Sequence, residues 1–369
     1  MQRLICAGVD ITAAETEYFG TEYFETEDTL TYELEHKTAL EIVLKAGHID
    51  ALKVLLDYGD CTIKLQLQTE TDLLDHPARR GDIPMLRLLL EYIPLNQRNE
   101  YGNFEWDGAA AVKANKIETV VFLMDWGLDF SNQLDTAARL GHMEMVRLLL
   151  KRTFFGDEKA RNEKINSALF EAVRAGKVDA MVLLVDRGAD VTYVSEEGIT
   201  AVHCAAENGL CSALDILIKN GADVNVRSDE GITPLHLAAK HDQLFALELL
   251  IDNEAYINAI DDEGRTALHH VARAPLARVS EPFRSPKDIA WTVGTDIAWL
   301  LVQNGATIDG KDSSNWTPMD VAVHRGRIGL ARTLLMARER EDFPSDLWEL
   351  REVLDRMDPD RGGYDTDSL

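Results

Sequence analysis

Three histidines with a fixed spacing are the first candidates for chemistry in this sequence. His203, His236 and His269 are 33 residues apart, and each follows a threonine by three positions. Imidazole groups can transfer protons near neutral pH, so a histidine series raises the question of acid–base catalysis. The common spacing, however, places each histidine at the same position of a different repeat. The three side chains therefore do not form a catalytic cluster.

Other patterns that carry catalysis or bind metals are missing from the sequence. The chain has no G-x-S-x-G, no phosphate-binding P-loop and no H-E-x-x-H. Carboxylates before the turn glycines, such as Glu196, Asp229 and Asp261, belong to successive repeats, so we expect solvent-exposed turns rather than a metal site. We therefore predict no catalytic residues, no metal site and no cofactor.

The four cysteines lack the spacing of a metal site or a redox pair, and two of them fall within repeat helices. We expect reduced thiols in a cytoplasmic or nuclear protein, with no disulfides. The cysteines are Cys6, Cys61, Cys204 and Cys211.

The 369-residue chain has a formal net charge of −26, much of it at the two ends. Residues 1–37 contain nine acids and two bases, and residues 341–369 contain ten acids and three bases. Nucleic-acid binding needs a basic surface, so we expect none. No apolar run approaches the length of about 20 residues that spans a bilayer, and the N-terminus lacks the apolar stretch of a secretory signal. We expect no membrane binding and a monomeric state.

The elements that position these residues follow from a repeat of 33 residues. Thr200, Thr233 and Thr266 open the phrases T-A-V-H, T-P-L-H and T-A-L-H. Threonine is a good N-cap, a glycine near offset +9 ends the first helix, and apolar residues at +14, +17 and +18 form one face of a second helix. This register recovers nine units, which begin near Thr38, Asp72, Trp106, Asn132, Ser167, Thr200, Thr233, Thr266 and Thr317.

The T-P-L-H phrase and the G-A-D-V-N at 221–225 closely resemble the ankyrin repeat family. The resemblance is sharp over 167–270, recognisable at 38–64 and 317–338, and loose at 72–166. It implies an all-α ankyrin-repeat solenoid of helix-turn-helix units with short β-turn fingers. It also implies that each Thr–His pair belongs to a hydrogen-bond network between repeats, and that Asn225 and Asn258 match a position that can be hydroxylated in the family.

Two departures from the register affect the domain organisation. The turn positions Asn115 and Gly141 are only 26 residues apart, so we expect that unit to lack its finger. An 18-residue insertion within 275–293 contains three prolines and is expected to be a loop, either a binding element or a tolerated surface insertion. We predict an acidic segment or cap at 1–37, the repeat array at 38–338 and an acidic capping helix and tail at 339–369.

Basic residues recur at offset +7, near the end of the first helix. Seven of the nine positions are Lys or Arg, and the series reads Lys45, Arg79, Lys113, Arg139, Arg174, Glu207, Lys240, Arg273, His324. One interpretation is that a cation stabilises the helix C-terminus by about 0.3–1 kcal/mol. The other is a basic stripe beside a concave groove that binds an acidic peptide or the protein's own acidic tail.

The first functional hypothesis is a non-enzymatic scaffold or adaptor that binds a protein partner, acidic in one version, through the groove and finger loops. The candidate partner-binding residues are Lys113, Arg139, Arg174, Arg227, Leu237, Lys240, His241, His270, Arg273 and Trp316. The alternative is an enzyme or enzyme-associated factor that binds a small molecule in the groove or under the 275–293 loop. A third hypothesis is a regulatory protein whose acidic ends dock on the array.

Overall fold

The computed structural model of the chain describes residues 39–58, 71–92, 108–152, 158–274 and 294–338. The predicted N-terminal segment, the insertion within 275–293 and the C-terminal helix and tail lie outside these residues and stay predictions. The chain divides into two compact units, with the boundary between Lys164 and Ile165. Within the described ranges the secondary structure is helical, apart from one isolated β-bridge between Val194 and Thr200.

The first unit contains four helix pairs among its described residues. They are α1 (Ala39–Ala46) with α2 (Ile49–Tyr58), α3 (Asp75–Arg80) with α4 (Ile83–Tyr92), α5 (Ala109–Lys113) with α6 (Ile117–Asp125), and α7 (Leu134–Leu140) with α8 (Met143–Arg152). Short 3₁₀-helices, Thr71–Leu74 and Ser131–Gln133, precede α3 and α7.

The second unit begins within α9 (Glu158–Arg174), which pairs with α10 (Val178–Asp186). Four further pairs follow in its described part. They are α11 (Ala201–Glu207) with α12 (Cys211–Lys219), α13 (Pro234–Lys240) with α14 (Leu244–Asp252), α15 (Ala267–Arg273) with α16 (Thr295–Gln303), and α17 (Pro318–His324) with α18 (Ile328–Arg338).

Helices of the same kind pack against each other from one pair to the next. In the first unit the first helices α1, α3, α5 and α7 are neighbours, and in the second unit α11, α13, α15 and α17 are neighbours. The second helices α10, α12, α14, α16 and α18 also form a contiguous series. The apolar stripes meet between these layers, where residues such as Leu214, Leu247 and Leu301 are fully buried. Each pair therefore completes its core with its neighbours.

The turn between the two helices of a pair requires a residue in the left-handed backbone conformation, with a positive φ. Gly209 ends α11 with φ of +65°. Asn115 and Asp242 occupy the equivalent position with φ of 54° and 58°, and both residue types tolerate this region better than most. The turn geometry is thus retained where the glycine is replaced.

Fingers connect successive pairs in the second unit. Each finger closes through a backbone hydrogen bond, for example from Ser195 N–H to the Ile199 carbonyl at 2.9 Å. Neighbouring fingers are also joined, since the Asp262 N–H donates to the Glu230 carbonyl at 3.1 Å. The connection between α6 and α7 instead contains the 3₁₀-helix Ser131–Gln133, which confirms that this unit lacks a finger.

In the described ranges, no helix combines the length and the apolar character that crossing a bilayer requires.

Candidate functional site

The threonine–histidine pairs join adjacent repeats in the second unit. Thr200 is the N-cap of α11, and its backbone N–H donates to His203 Nδ1 at 3.2 Å. Because Nδ1 accepts this bond, Nε2 carries the proton and donates to the Ile232 carbonyl of the next repeat at 3.0 Å. The equivalent bond of His269 reaches the Trp316 carbonyl at 3.0 Å, beyond the insertion. The network implied by the sequence resemblance is therefore present.

Burial keeps these histidines neutral. Desolvation lowers the pKa of His203 and His269 below the ordinary imidazole value. It also lowers the pKa of His236 to about 4, with a further contribution from His270. Both ring nitrogens of each histidine are already hydrogen-bonded within the protein. The series thus has a structural role in the second unit.

A buried carboxylate beside His236 departs from the sequence expectation. We expected Asp261 to lie in a solvent-exposed turn, but its side chain is fully buried. It accepts hydrogen bonds from Arg265 Nε at 2.7 Å and His270 Nε2 at 2.9 Å, and from two backbone N–H groups. Burial by itself raises the pKa of Asp261, but the bonds from His270 and Arg265 outweigh it and hold that pKa below its usual range. The expectation was wrong because these two partners compensate the burial of the charge.

His270 is part of this cluster. Its residue exposure is only 6%, and its ring centroid lies 4.9 Å from that of His236. The sequence suggested it as a partner contact, whereas the structure directs its imidazole to Asp261. Arg265 stands where earlier fingers have Ile199 and Ile232, and this substitution was the one sequence signal for the cluster.

In the first unit the predicted basic residues lie at equivalent positions of neighbouring helices. Each first helix of this unit has one basic residue of the series in its last turn: Lys45 in α1, Arg79 in α3, Lys113 in α5 and Arg139 in α7. All four side chains are exposed. This placement fits the helix-dipole explanation, and it also keeps the four side chains on the solvent-exposed surface.

In the second unit the series is less uniform. Arg174 is exposed but forms an ion pair of 2.9 Å with Glu171. Glu207 replaces a base on α11, and His241 Nε2 lies 3.3 Å from its carboxylate. Lys240 is exposed, whereas Arg273 is half-buried. The ends of the first helices are therefore less basic in the second unit than in the first.

Two predicted contact residues lie on the fingers. Arg227 Nη1 donates to the Ile260 carbonyl at 2.6 Å and Nη2 to Asp262 at 3.1 Å, so its guanidinium joins two fingers. Trp316 is 37% exposed, and its ring packs edge-on against His324 with centroids 4.8 Å apart. Both side chains remain partly accessible while supporting the finger region.

Asn225 and Asn258 link the bases of adjacent fingers. Asn225 Oδ1 accepts from the Tyr256 N–H at 2.7 Å, and its Nδ2 donates to the Glu254 carbonyl at 3.2 Å. Asn258 forms the corresponding pair of bonds with Thr307 N–H and the Gly305 carbonyl. The two amides therefore hold neighbouring repeats together.

A cavity of about 550 Å³ opens between the first helices and the finger of residues 190–199. Phe170, Tyr193, Cys204 and Leu237 contribute apolar surface to it. The Phe170 and Tyr193 rings pack edge to face, with centroids 6.5 Å apart. Leu237 is only 8% exposed as a residue, yet it lines this space and is accessible from it.

The chemistry of the cavity does not favour nucleophilic catalysis. Cys204 and Cys211 are free thiols, and burial raises the pKa of Cys204 to about 12, with Glu207 adding to the effect. The Cys204 thiol is therefore neutral at physiological pH, whereas the thiolate is the reactive form. Within the described residues, no group of three or more His, Cys, Asp and Glu side chains converges as a metal site would require.

Comparison with known families identifies the repeats. The model of the family described as "Ankyrin repeats (3 copies)" matches residues 108–195, 134–228 and 202–277. A comparison with curated proteins finds no match to the chain. The family match and the helix pairs confirm the predicted all-α ankyrin-repeat fold class. Residues 108–277 therefore form ankyrin repeats.

Proposed function

We propose that this protein is a non-enzymatic scaffold or adaptor that binds a protein partner through the ends of its first helices and its fingers. Ankyrin repeats generally mediate protein–protein interactions. The observation that carries the proposal is that charged side chains are exposed at the ends of the first helices in both units, beside an open cavity in the second.

The surface required for such a contact is larger than the cavity. A stable protein–protein interface buries about 1,200–2,000 Å² in total, so a partner would extend over several repeats. Repeat proteins supply such extended surfaces because the same side-chain positions recur at regular intervals. In the second unit Arg174, Arg227, Lys240, His241, Arg273 and Trp316 belong to the proposed surface.

In the first unit the surface favours an acidic partner segment. Lys45, Arg79, Lys113 and Arg139 present four positive charges without an acidic residue at the equivalent positions. Opposite charges increase the association rate and select against cationic partners. An acidic segment of another protein is our proposed ligand for this part of the chain.

Charge reversal tests the proposal. K113E/R139E should reduce capture of partner proteins from a cell extract by about tenfold relative to wild type, since attraction becomes repulsion. Capture with the full chain and quantitative mass spectrometry would measure this. The control K151E changes an exposed lysine on the second helix α8 and should leave capture unchanged. The same partners at equal abundance on K113E/R139E would contradict the proposal.

A small-molecule site is the second candidate, because a cavity of about 550 Å³ has the size of many ligand pockets. Because the Cys204 thiol is neutral and the histidines are already hydrogen-bonded, this candidate function is binding without catalysis.

A cytoplasmic or nuclear location belongs to our proposal, and the free thiols Cys204 and Cys211 support a reducing compartment. We further propose a monomer that does not bind nucleic acid, in keeping with the net charge of −26.

A further inference from the structure

The cavity in the second unit has a charge opposite to that of the basic residues in the first unit. Glu196, Glu197 and Glu207 line it, together with Arg174 as a single cation. Arg174 is itself bound to Glu171 at 2.9 Å, so its positive charge is partly compensated. The cavity lining is therefore net negative.

Glu196 and Glu197 are the carboxylates most available to a ligand. Both are exposed at the tip of the finger, and neither forms an ion pair with another described residue. Glu207, in contrast, lies 3.3 Å from His241 Nε2. An incoming cation would gain an interaction with the finger carboxylates without first breaking an existing pair.

The apolar wall of the cavity complements these charges. The edge-to-face pair of Phe170 and Tyr193 stands beside the carboxylates, and Leu237 with the neutral thiol of Cys204 adds apolar surface from α13 and α11. Lysine and arginine side chains pack their methylene groups on apolar surface while the charged head stays near polar groups. Aromatic faces also attract such cations.

We propose that this cavity binds a partner segment in which a lysine or arginine stands next to an apolar residue. The inference rests on the proposed protein-binding function and specifies the ligand of its second unit. The apolar residue would occupy the space beside Leu237, and the cation would lie between Tyr193 and the carboxylates Glu196 and Glu197.

Charge also argues against the protein's own tail as the ligand of this cavity. Residues 341–369 contain ten acids and three bases, so docking here would bring like charges together. Like-charge contacts across an interface weaken binding. A basic segment of a different protein is the occupant that the cavity favours.

Selection from a displayed library of random dodecapeptides would test the inference. The library is selected on the full-length wild-type protein and separately on E196K/E197K. Peptides enriched on wild type over the variant should carry a net positive charge, with Lys or Arg adjacent to an aliphatic or aromatic residue. Neutral or acidic peptides in that set would overturn the inference.

The most enriched peptide is then synthesised with a fluorescent label, and its Kd is measured by anisotropy. E196K/E197K should raise the Kd at least about tenfold, and added NaCl should weaken wild-type binding because the carboxylates are exposed. E248K, an exposed change of the same sign on the second helix α14, should leave the Kd unchanged. An equal effect of E248K, or no effect of E196K/E197K, would overturn the inference.

The two proposals fail in different ways. If selection returns acidic peptides whose binding is lost in K113E/R139E, the protein-binding function stands and the inference about the cavity is wrong. If no peptide is enriched and K113E/R139E captures the same proteins as wild type, both are wrong.

Discussion

His236 connects the hydrogen-bond network between repeats with the buried charge cluster. Its Nδ1 accepts from the Thr233 N–H at 3.0 Å, its Nε2 lies 2.9 Å from the Ala259 carbonyl, and its ring packs on His270. Protonation would turn the Nδ1 acceptor into a donor facing another donor, and would place a cation in a site that is 1% exposed. The neutral form is therefore required by the fold.

The sign of the resulting pH effect follows from linkage. Burial lowers the pKa of His236 from 6.5 to about 4, so the unfolded chain binds a proton more readily than the folded one. The stabilisation is fully present above about pH 6.5 and is lost as the pH falls toward 4. From pH 7 to pH 5 we expect a loss on the order of 2 kcal/mol in the free energy of unfolding from this residue. Urea unfolding at the two pH values would measure it.

The variant H236N isolates this contribution. Asparagine can accept the Thr233 N–H bond but does not titrate, so H236N should be less stable at pH 7 and lose less stability on acidification. H48N serves as the control, because His48 is exposed between α1 and α2, and it should retain the wild-type pH dependence. An H236N protein with the full wild-type pH dependence would show that other groups cause the effect.

At the residue level the sequence predicted the repeated contacts but not the exceptions. The threonine–histidine bonds recur with the 33-residue spacing, so aligning the sequence on that spacing is enough to find all three pairs. The burial of Asp261 depends on Arg265 and His270, which occur together in one unit and follow no repeat. A single sequence does not reveal that these side chains converge, because carboxylates before a turn glycine are ordinarily exposed.

The finger of residues 190–199 is the element that forms one wall of the cavity. Gly198 lies at its turn with φ of +72°, and a Cβ at this position would be 2.5 Å from the backbone N of Asp229 in the next finger. The Gly264 turn has the same φ, but a Cβ there would be 3.4 Å from the nearest atom, Ser313 N. The two glycines thus share a backbone conformation but differ in how much space a Cβ atom would have.

This difference predicts unequal effects of alanine. G264A should lower the free energy of unfolding by about 1 kcal/mol, the cost of a left-handed alanine, whereas G198A should lower it by about 3 kcal/mol because neighbouring backbone must also move. Chemical unfolding of both variants at pH 7 would measure the effects. Equal losses would mean that the fingers separate at little cost and that close approach does not fix the cavity wall.

The end of α15 shows what the register could not predict at the level of elements. The sequence indicated an insertion after this helix, but not how its C-terminal carbonyls are satisfied. Arg325 Nη1 donates to the Arg273 carbonyl at 3.2 Å, and Arg327 Nη1 donates to the Val271 carbonyl. Both arginines come from the next helix pair, and the position of Arg327 holds Leu210 and Gln243 in two earlier pairs. Cations near a helix C-terminus are favourable, so the two arginines stabilise the end of α15.

At the scale of the whole molecule, the two units differ in how neighbouring repeats are joined. In the second unit, buried imidazoles donate to carbonyls of the next repeat, and the side chains of Asn225 and Asn258 add hydrogen bonds that are exposed. The described part of the first unit has exposed links instead, such as Tyr92 with Asp57 and Arg152 with Asp125, both at 2.7 Å. Exposed ion pairs contribute about 0–1 kcal/mol, and an intramolecular hydrogen bond about 0.5–1.5 kcal/mol.

This asymmetry predicts that the first unit opens more readily than the second. Stability in a repeat protein is the sum of repeat stabilities and nearest-neighbour contacts, so weaker contacts lower the local free energy of opening. Hydrogen exchange with mass spectrometry, corrected for intrinsic rates, should give lower protection for α3 and α5 than for α11 and α13. H203N, which removes the bond to the Ile232 carbonyl, should reduce protection around α11 and α13 but leave α3 unchanged. Equal protection in both units, or a uniform effect of H203N on all helices, would mean that the chain unfolds as one cooperative body and that these bonds do not set its local stability.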